Sequence, residues 1–147
     1  MSTASTQLPR VGDAVPERVF EPTEVQLFAF SAATWNAHRI HYDREYAREA
    51  EGYPDLLVQA HLHACFLAQT VQAAFGAGSR LTGIGWRNRG IAVPGDRLTV
   101  GGEVTAVSAL EVGGEVRLDL EERNQEGAVC VAGWATVLLP AEWGPDA

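Results

Sequence analysis

Ala60-His-Leu-His-Ala-Cys-Phe-Leu-Ala-Gln-Thr-Val-Gln-Ala-Ala-Phe-Gly-Ala77 is the most apolar stretch of the chain, and its reading decides the fold. Apolar residues fall nearly all round its helical wheel, which predicts a buried helix and not one laid on a surface. Gly76 or Gly78 can supply a left-handed cap at its end. Downstream the period changes to two, and the pattern predicts strands over 81–89, 97–108, 115–123 and 128–139. The alternation is cleanest in Val116-Arg-Leu-Asp-Leu-Glu121, where Val116, Leu118 and Leu120 share the core face. Asn124-Gln-Glu-Gly127 closes a hairpin. Pro94-Gly-Asp96 and Gly113-Gly114 supply the other turns. A long helix followed by antiparallel strands makes an α+β domain in which the sheet wraps the helix.

Upstream of that helix, Thr23 caps a helix over 24–34, with Val25, Leu27, Phe28, Phe30 and Ala32 as apolar faces. Asn36-Ala-His-Arg-Ile-His41 reads as an irregular loop or bent turn. Asp43 caps a short helix over 44–50, and Gly52, Pro54 and Asp55 mark a turn. Residues 1–16 are expected to be disordered or extended, 17–140 to form a single domain, and 141–147 to be a tail.

The chain has 147 residues, a formal net charge of -8 and no lysine, its eleven basic residues all being arginine. Such a surface repels phosphate backbones and argues against nucleic-acid binding. Arg80, Arg87, Arg89 and Arg97 are nonetheless close in sequence. Arginine grips phosphate bidentately, so these residues suit a phosphorylated ligand, or else a solvated strand face. No apolar run reaches the length of a membrane span. The first ten residues, MSTASTQLPR, lack an apolar signal core. Two cysteines, Cys65 and Cys130, are too few for a disulfide framework and read as buried apolar residues of a reduced, cytoplasmic protein.

All four histidines lie between positions 38 and 63, as His38-Arg-Ile-His41 and His61-Leu-His63. Imidazole exchanges protons near neutral pH, so this is the first place to seek chemistry. His38 shares a face with His41 if the stretch is one helical turn, and points away if it is extended. At the start of a helix the macrodipole disfavours protonated His61 and His63, leaving neutral imidazoles. Both also read as plain cap residues.

Three pieces carry a family resemblance: Ala33-Thr-Trp-Asn-Ala-His-Arg-Ile-His-Tyr-Asp-Arg-Glu-Tyr-Ala47, then Gly52-Tyr-Pro-Asp-Leu-Leu-Val-Gln59, and Pro94-Gly-Asp96. They resemble the MaoC-like hydratases and dehydratases, hot-dog-fold enzymes of acyl thioesters. The closest subgroup is that of the 3-hydroxyacyl-thioester dehydratase type 2 and mesaconyl-CoA hydratase-like proteins. The likeness spans about residues 17–140. It implies a hot-dog homodimer that adds or removes water across the Cα–Cβ bond of an enoyl or 3-hydroxyacyl group. The carrier would be coenzyme A or acyl carrier protein, and no metal or redox cofactor is implied.

In that family an Asp and a His five residues apart hold the water. The His falls on His41 and the Asp on Asn36, as in the type 2 subgroup, which also carries Asn there. An amide cannot accept a proton as a carboxylate does, so His41 carries the acid–base step alone or shares it with a nearby group. The family also points a Gly amide at the thioester carbonyl from the start of the central helix. Here Ala60 takes that place, between Gln59 and a His61 that stands for a usual Pro. The resemblance thus assigns catalysis to His41 and Asn36. It places Gln59, Ala60 and His61 at the carbonyl or substrate. Tyr42 and Trp35 could line an acyl pocket or serve as core aromatics, and Arg87 and Arg89 are candidate contacts for CoA phosphates. Fatty-acid, polyketide and branched dicarboxylate acyl groups all fit.

Three other readings stay open. Four imidazoles in His-x-x-His and His-x-His could bind a metal, although no helical His-Glu-x-x-His accompanies them. A hot-dog thioesterase would need an acid near the central helix, and residues 60–80 contain none. Asn36 and Ala60 could also mark a lapsed site in a non-catalytic, thioester-binding subunit.

Overall fold

A computed structural model describes residues 6–144. Its elements, in chain order, are β1 (Thr6–Gln7), β2 (Ala14–Phe20), α1 (Glu24–Thr34), a 3-10 turn (Arg39–His41), a wide π-type turn (Tyr46–Ala50), α2 (Ala60–Phe75), β3 (Arg80–Asn88), β4 (Leu98–Ala109), β5 (Gly114–Arg123), β6 (Val129–Leu139) and β7 (Trp143–Gly144). Five strands form one antiparallel sheet in the order β2-β4-β5-β6-β3, while β1 and β7 pair in parallel as a separate ribbon.

The expected buried helix is α2, which presents Leu62, His63, Phe66, Leu67, Thr70, Val71 and Phe75 to the interior. It touches β2 and β3 at the two edges of the sheet as well as β4 and β6 within it, so the sheet curls around the helix. The inner face supplies Val100, Val104, Val116, Leu118, Leu120, Val131, Ala135 and Val137, all buried. Each large apolar side chain sealed in this way contributes roughly 1.5–3 kcal/mol relative to exposure. Gly76 ends the helix at φ 79°, a conformation costly to any residue with a Cβ.

The four strands expected after residue 80 lie within one residue of their predicted bounds. The amino-terminal strands were not expected. In Ala14–Phe20 only Val15 is buried, so no alternation announces the strand. It pairs with β4 through a register shift between Val15 and Arg18. The segment expected to be disordered or extended over 1–16 is, inside the described residues, partly extended strand. The main sheet already begins at Ala14, and Thr6–Gln7 pairs with Trp143–Gly144. Residues 1–5 and 145–147 lie outside the described part. The helix expected over 44–50 is mostly the wide turn. Asp43 does cap it, Oδ1 accepting from the Tyr46 N–H at 3.0 Å.

Candidate active site

Two short segments are laced together at the start of α2. Leu57 N–H donates to the Ile40 carbonyl at 2.9 Å. In return the Leu57 carbonyl lies 2.7 Å from Nδ1 of His41, in a buried contact. A carbonyl can only accept, so Nδ1 carries the proton and the lone pair of neutral His41 sits on Nε2. Among the described residues Nε2 has no partner, yet it is not among the sealed, unpartnered atoms of the interior. The ring is 8% exposed. Burial holds its pKa below the ordinary 6.5, the Leu57 bond opposes that shift, and the neighbouring His38 lowers it further. His41 is thus a neutral imidazole of fixed tautomer with one free basic nitrogen.

His38 is exposed, its ring centroid 5.9 Å from that of His41. Its Nδ1 accepts from the Ile40 N–H at 3.4 Å, which stiffens the turn. Asn36 Oδ1 accepts from the His38 N–H at 3.1 Å, a local turn bond that leaves the Asn36 amide NH2 free to donate. Ahead of it, Trp35 ends α1 with φ 56°, and among the described residues it alone has positive φ without being glycine. That bend brings the Asn36 N–H onto the Ser31 carbonyl at 2.9 Å and throws the indole outward, 92% exposed. Arg44 braces the far side, meeting Glu24 of α1 and Asp55 ahead of α2.

Gln59 does not face a substrate. It is fully buried, and its amide donates to the Leu27 carbonyl at 2.6 Å and to Ser31 Oγ at 2.9 Å, tying the start of α2 to α1. It therefore makes no side-chain cap for α2. The first amides of any helix lack an intrahelical acceptor, so the N–H groups of Ala60 and His61, which open α2 three and four residues after Leu57, remain available. The His61 side chain is exposed and meets Trp86 of β3 edge-on at 5.5 Å. Trp86 thus faces α2, and Arg87 alternates to the outer face, which it shares with Gly85 and Trp134. Arg89 follows the strand, its N–H on the Cys130 carbonyl at 2.8 Å. Neither Arg87 nor Arg89 has an acidic partner among the described residues, whereas Arg97 pairs with Glu21.

Tyr42 is half-exposed, and its hydroxyl donates to the Ala37 carbonyl at 2.8 Å. With Asn36 it lines an apolar cavity of about 210 Å³ that also takes in Phe28, Ser31, Ala32, Trp35 and Ala37.

The second histidine pair leads elsewhere. His63 Nδ1 lies 2.6 Å from Glu122 Oε1, with both side chains sealed from solvent. The contact is not aligned as a directed hydrogen bond, and neither Glu122 oxygen has another partner. Among the described residues no cluster of three or more His, Cys, Asp or Glu side chains could hold a metal ion. No helix of the described residues is long and apolar enough to cross a membrane. Sequence reasoning missed two participants. The Leu57 carbonyl has no side-chain signature. Glu122 had one, since it continues the inward alternation Val116, Leu118, Leu120.

Comparisons with known proteins bear on the family and the fold. Residues 2–94 match the family model described as hydroxyacyl-thioester dehydratase type 2. A 63-residue stretch, 43% of this chain, is 52% identical to mesaconyl-C(4)-CoA hydratase of Chloroflexus aurantiacus but spans only 22% of it. A 53-residue stretch, 36% of the chain, is 36% identical to the mitochondrial hydroxyacyl-thioester dehydratase type 2 of Saccharomyces cerevisiae and spans 19% of that protein. The matches thus cover about a fifth of these relatives. Among solved structures, the (R)-hydratase of A. caviae involved in PHA biosynthesis superposes with a TM-score of 0.81 at 25% identity, over 92% of this chain and 100% of that one. A chain of the Mycobacterium tuberculosis ChsH1–ChsH2 complex gives 0.79 at 23% identity, over 90% and 99%. The curled sheet around α2 is therefore the hot-dog fold. With its family model matched over more than half its length, the chain belongs to the hydroxyacyl-thioester dehydratase type 2 family.

Proposed function

We propose that this chain is a hydro-lyase that reversibly adds water to, or removes it from, the Cα–Cβ bond of an acyl thioester. The observation that carries the reading is the His41–Leu57 contact, which fixes the tautomer of His41 and leaves Nε2 as its basic nitrogen. In the dehydration direction, His41 Nε2 takes a proton from Cα of a 3-hydroxyacyl thioester. The same nitrogen then gives that proton to the departing β-hydroxyl, so water leaves and the imidazole returns to neutral. One base can do both when the two groups depart from the same face. The negative charge that develops on the thioester oxygen falls to the amides of Ala60 and His61, helped by the helix dipole. Asn36 donates its free NH2 to the hydroxyl or water and orients it.

Coenzyme A or acyl carrier protein would carry the acyl group. The unpaired arginines of the β3 edge, Arg87 and Arg89, are the phosphate contacts in this reading, and removing either charge should weaken CoA binding. Unaltered binding would refute that placement, and the outward alternation of Arg87 makes it the more exposed to refutation. A homodimer in a reducing, cytoplasmic compartment completes the reading. It is supported by two free cysteines and by an edge strand, β3, open to pairing.

The test is a mass-spectrometric screen for gain or loss of one water across a panel of enoyl and 3-hydroxyacyl thioesters. Turnover that disappears in His41→Ala supports the reading. A wild-type protein that binds acyl-CoA but turns over none of the panel would make it a thioester-binding subunit instead.

A further inference from the structure

Resting on the hydro-lyase reading only for its kinetic consequence, we propose that Arg44 and Asp55 are positioning residues for the base. Their ion pair draws the turn that carries His41 onto the Leu57 carbonyl, and so fixes which imidazole nitrogen reacts. Arg44 stands three residues after His41, and Asp55 stands two before Leu57. The pair therefore closes a ring of contacts whose other side is the His41–Leu57 bond. No helix or strand covers residues 51–59, so no repeating ladder sets the course of this link.

The two sides of the ring are held differently. The Leu57 carbonyl shares a peptide with the Val58 N–H, which donates to the Ala92 carbonyl at 2.9 Å, and Leu56, Leu57 and Val58 are all buried. The acceptor is thus set from its own side, and the histidine has to be brought to it. One backbone bond, from the Leu57 N–H to Ile40, helps. The Asp55 carboxylate adds the side-chain tie. Its Oδ1 accepts from Arg44 Nε at 2.6 Å and from the Leu56 N–H at 2.7 Å, so one oxygen grips both segments at once. Its Oδ2 lies 3.5 Å from Arg48 Nη2. The far end of the Arg44 guanidinium meets Glu24, which roots it on α1. Burial of Leu56–Val58 holds the link without preferring a direction, whereas a charge-assisted bond has one. Burial works against the charge of Asp55, yet Arg44, the Leu56 N–H and Arg48 together hold its pKa below the ordinary carboxylate value. The clamp is therefore charged at neutral pH, where His41 is not. Arg44 and Asp55 keep 37% and 25% of their side chains exposed, so the pair adds little to stability and its weight falls on geometry.

The experiment breaks the contact from opposite ends, with Asp55→Ala and Arg44→Leu, and includes their double variant. The first also takes an acceptor from the Leu56 N–H and the second does not, so agreement between them isolates the shared contact. Glu24→Gln is the control that leaves the Asp55 contact in place. Heteronuclear NMR on histidine labelled at its ring nitrogens reads the tautomer of His41, whose signals are assigned by their absence from His41→Ala. Hydration of trans-butenoyl- and trans-octenoyl-CoA gives kcat and KM. Wild type and Glu24→Gln should show one tautomer, protonated on Nδ1. In each clamp variant His41 should become a mixture of both tautomers, because the carbonyl stays as strong an acceptor but the ring no longer rests on it. There kcat should fall by about tenfold or more, since a displacement of about 1 Å can cost roughly 10²-fold. KM and the urea unfolding midpoint should change little. The double variant should be no worse than the worse single, because all three lose one contact. A His41 tautomer unchanged in both single variants would overturn the proposal, whatever kcat does. So would losses that add in the double variant, or failure of both singles to fold, which would make the pair scaffold alone. If wild type hydrates no thioester, the hydro-lyase reading fails, and the tautomer of His41 in the variants still decides the clamp.

Discussion

The two histidine pairs are close in sequence and alike in composition, yet the fold uses them in opposite ways. Each has one exposed and one buried ring. Behind buried His41 stands a main-chain carbonyl, which fixes the tautomer and leaves Nε2 open. Behind buried His63 stands the Glu122 carboxylate, and both groups are shut off from water. A neutral acceptor behind an imidazole leaves its second nitrogen basic and open. A carboxylate partner in a sealed core leaves two buried groups facing each other, one on α2 and one on β5. What distinguishes the two is the partner and the route to solvent, and neither is written in the histidine itself.

The most direct way to break this contrast is His41→Ala, which should lower kcat by roughly 10²–10⁴-fold, the usual contribution of a general acid–base group. Steady-state kinetics on any accepted thioester checks it, and an unchanged kcat would remove His41 from the chemistry. Next comes Glu122→Leu. It strips one member from a buried pair and should cost about 3–5 kcal/mol in urea unfolding. The double variant His63→Leu/Glu122→Leu should recover most of that loss, because the paired desolvation goes with it. If the double variant is no better than the single, the pair is not a unit.

A pH profile sharpens the comparison further. His41 titrates below 6.5 in the fold, so the acid limb of kcat/KM for dehydration should lie below that value. Between the lowered pKa and 6.5 the unfolded chain binds the proton that the folded chain refuses. Stability from this group is therefore complete above 6.5 and declines as the pH falls towards the folded pKa. Removing the charge of the neighbour in His38→Gln should move the acid limb upward, towards but not up to the ordinary value, since burial is the larger cause. No movement would show that the two rings do not sense each other. The smallest effect is expected at Trp35. Its φ of 56° strains any side chain, and an indole 92% exposed buries almost nothing in return. Trp35→Gly should raise stability by about 1 kcal/mol in thermal unfolding.

Much of this architecture is legible in the sequence where one periodicity dominates. The apolar wheel of Ala60–Phe75 and the clean alternation of Gly114–Arg123 state their partners, because burial on one face or all round leaves a mark in every residue. Ala14–Phe20 joins the same sheet but buries a single valine, so its pairing is backbone work that no pattern records. The site divides in the same way. His41 was findable from its motif. Gln59 was expected at the substrate, and its amide is instead spent on Leu27 and Ser31, a long-range pairing invisible to local reading. Glu122 stood in plain view at an inward position, but its meaning depended on which residue of α2 lay opposite.

One consequence follows from the group that steers the His41 ring. In many enzymes the orienting partner is a carboxylate, and a mutational scan finds it at once. Here it is the oxygen of the 57–58 peptide link, which no codon change can delete. Replacing Leu57 with any residue retains that oxygen, so scanning mutagenesis would pass over the very atom that fixes the tautomer of the ring. Only an altered linkage, such as an ester exchanged for that amide by chemical ligation, would weaken its pull and expose how much the ring depends on it.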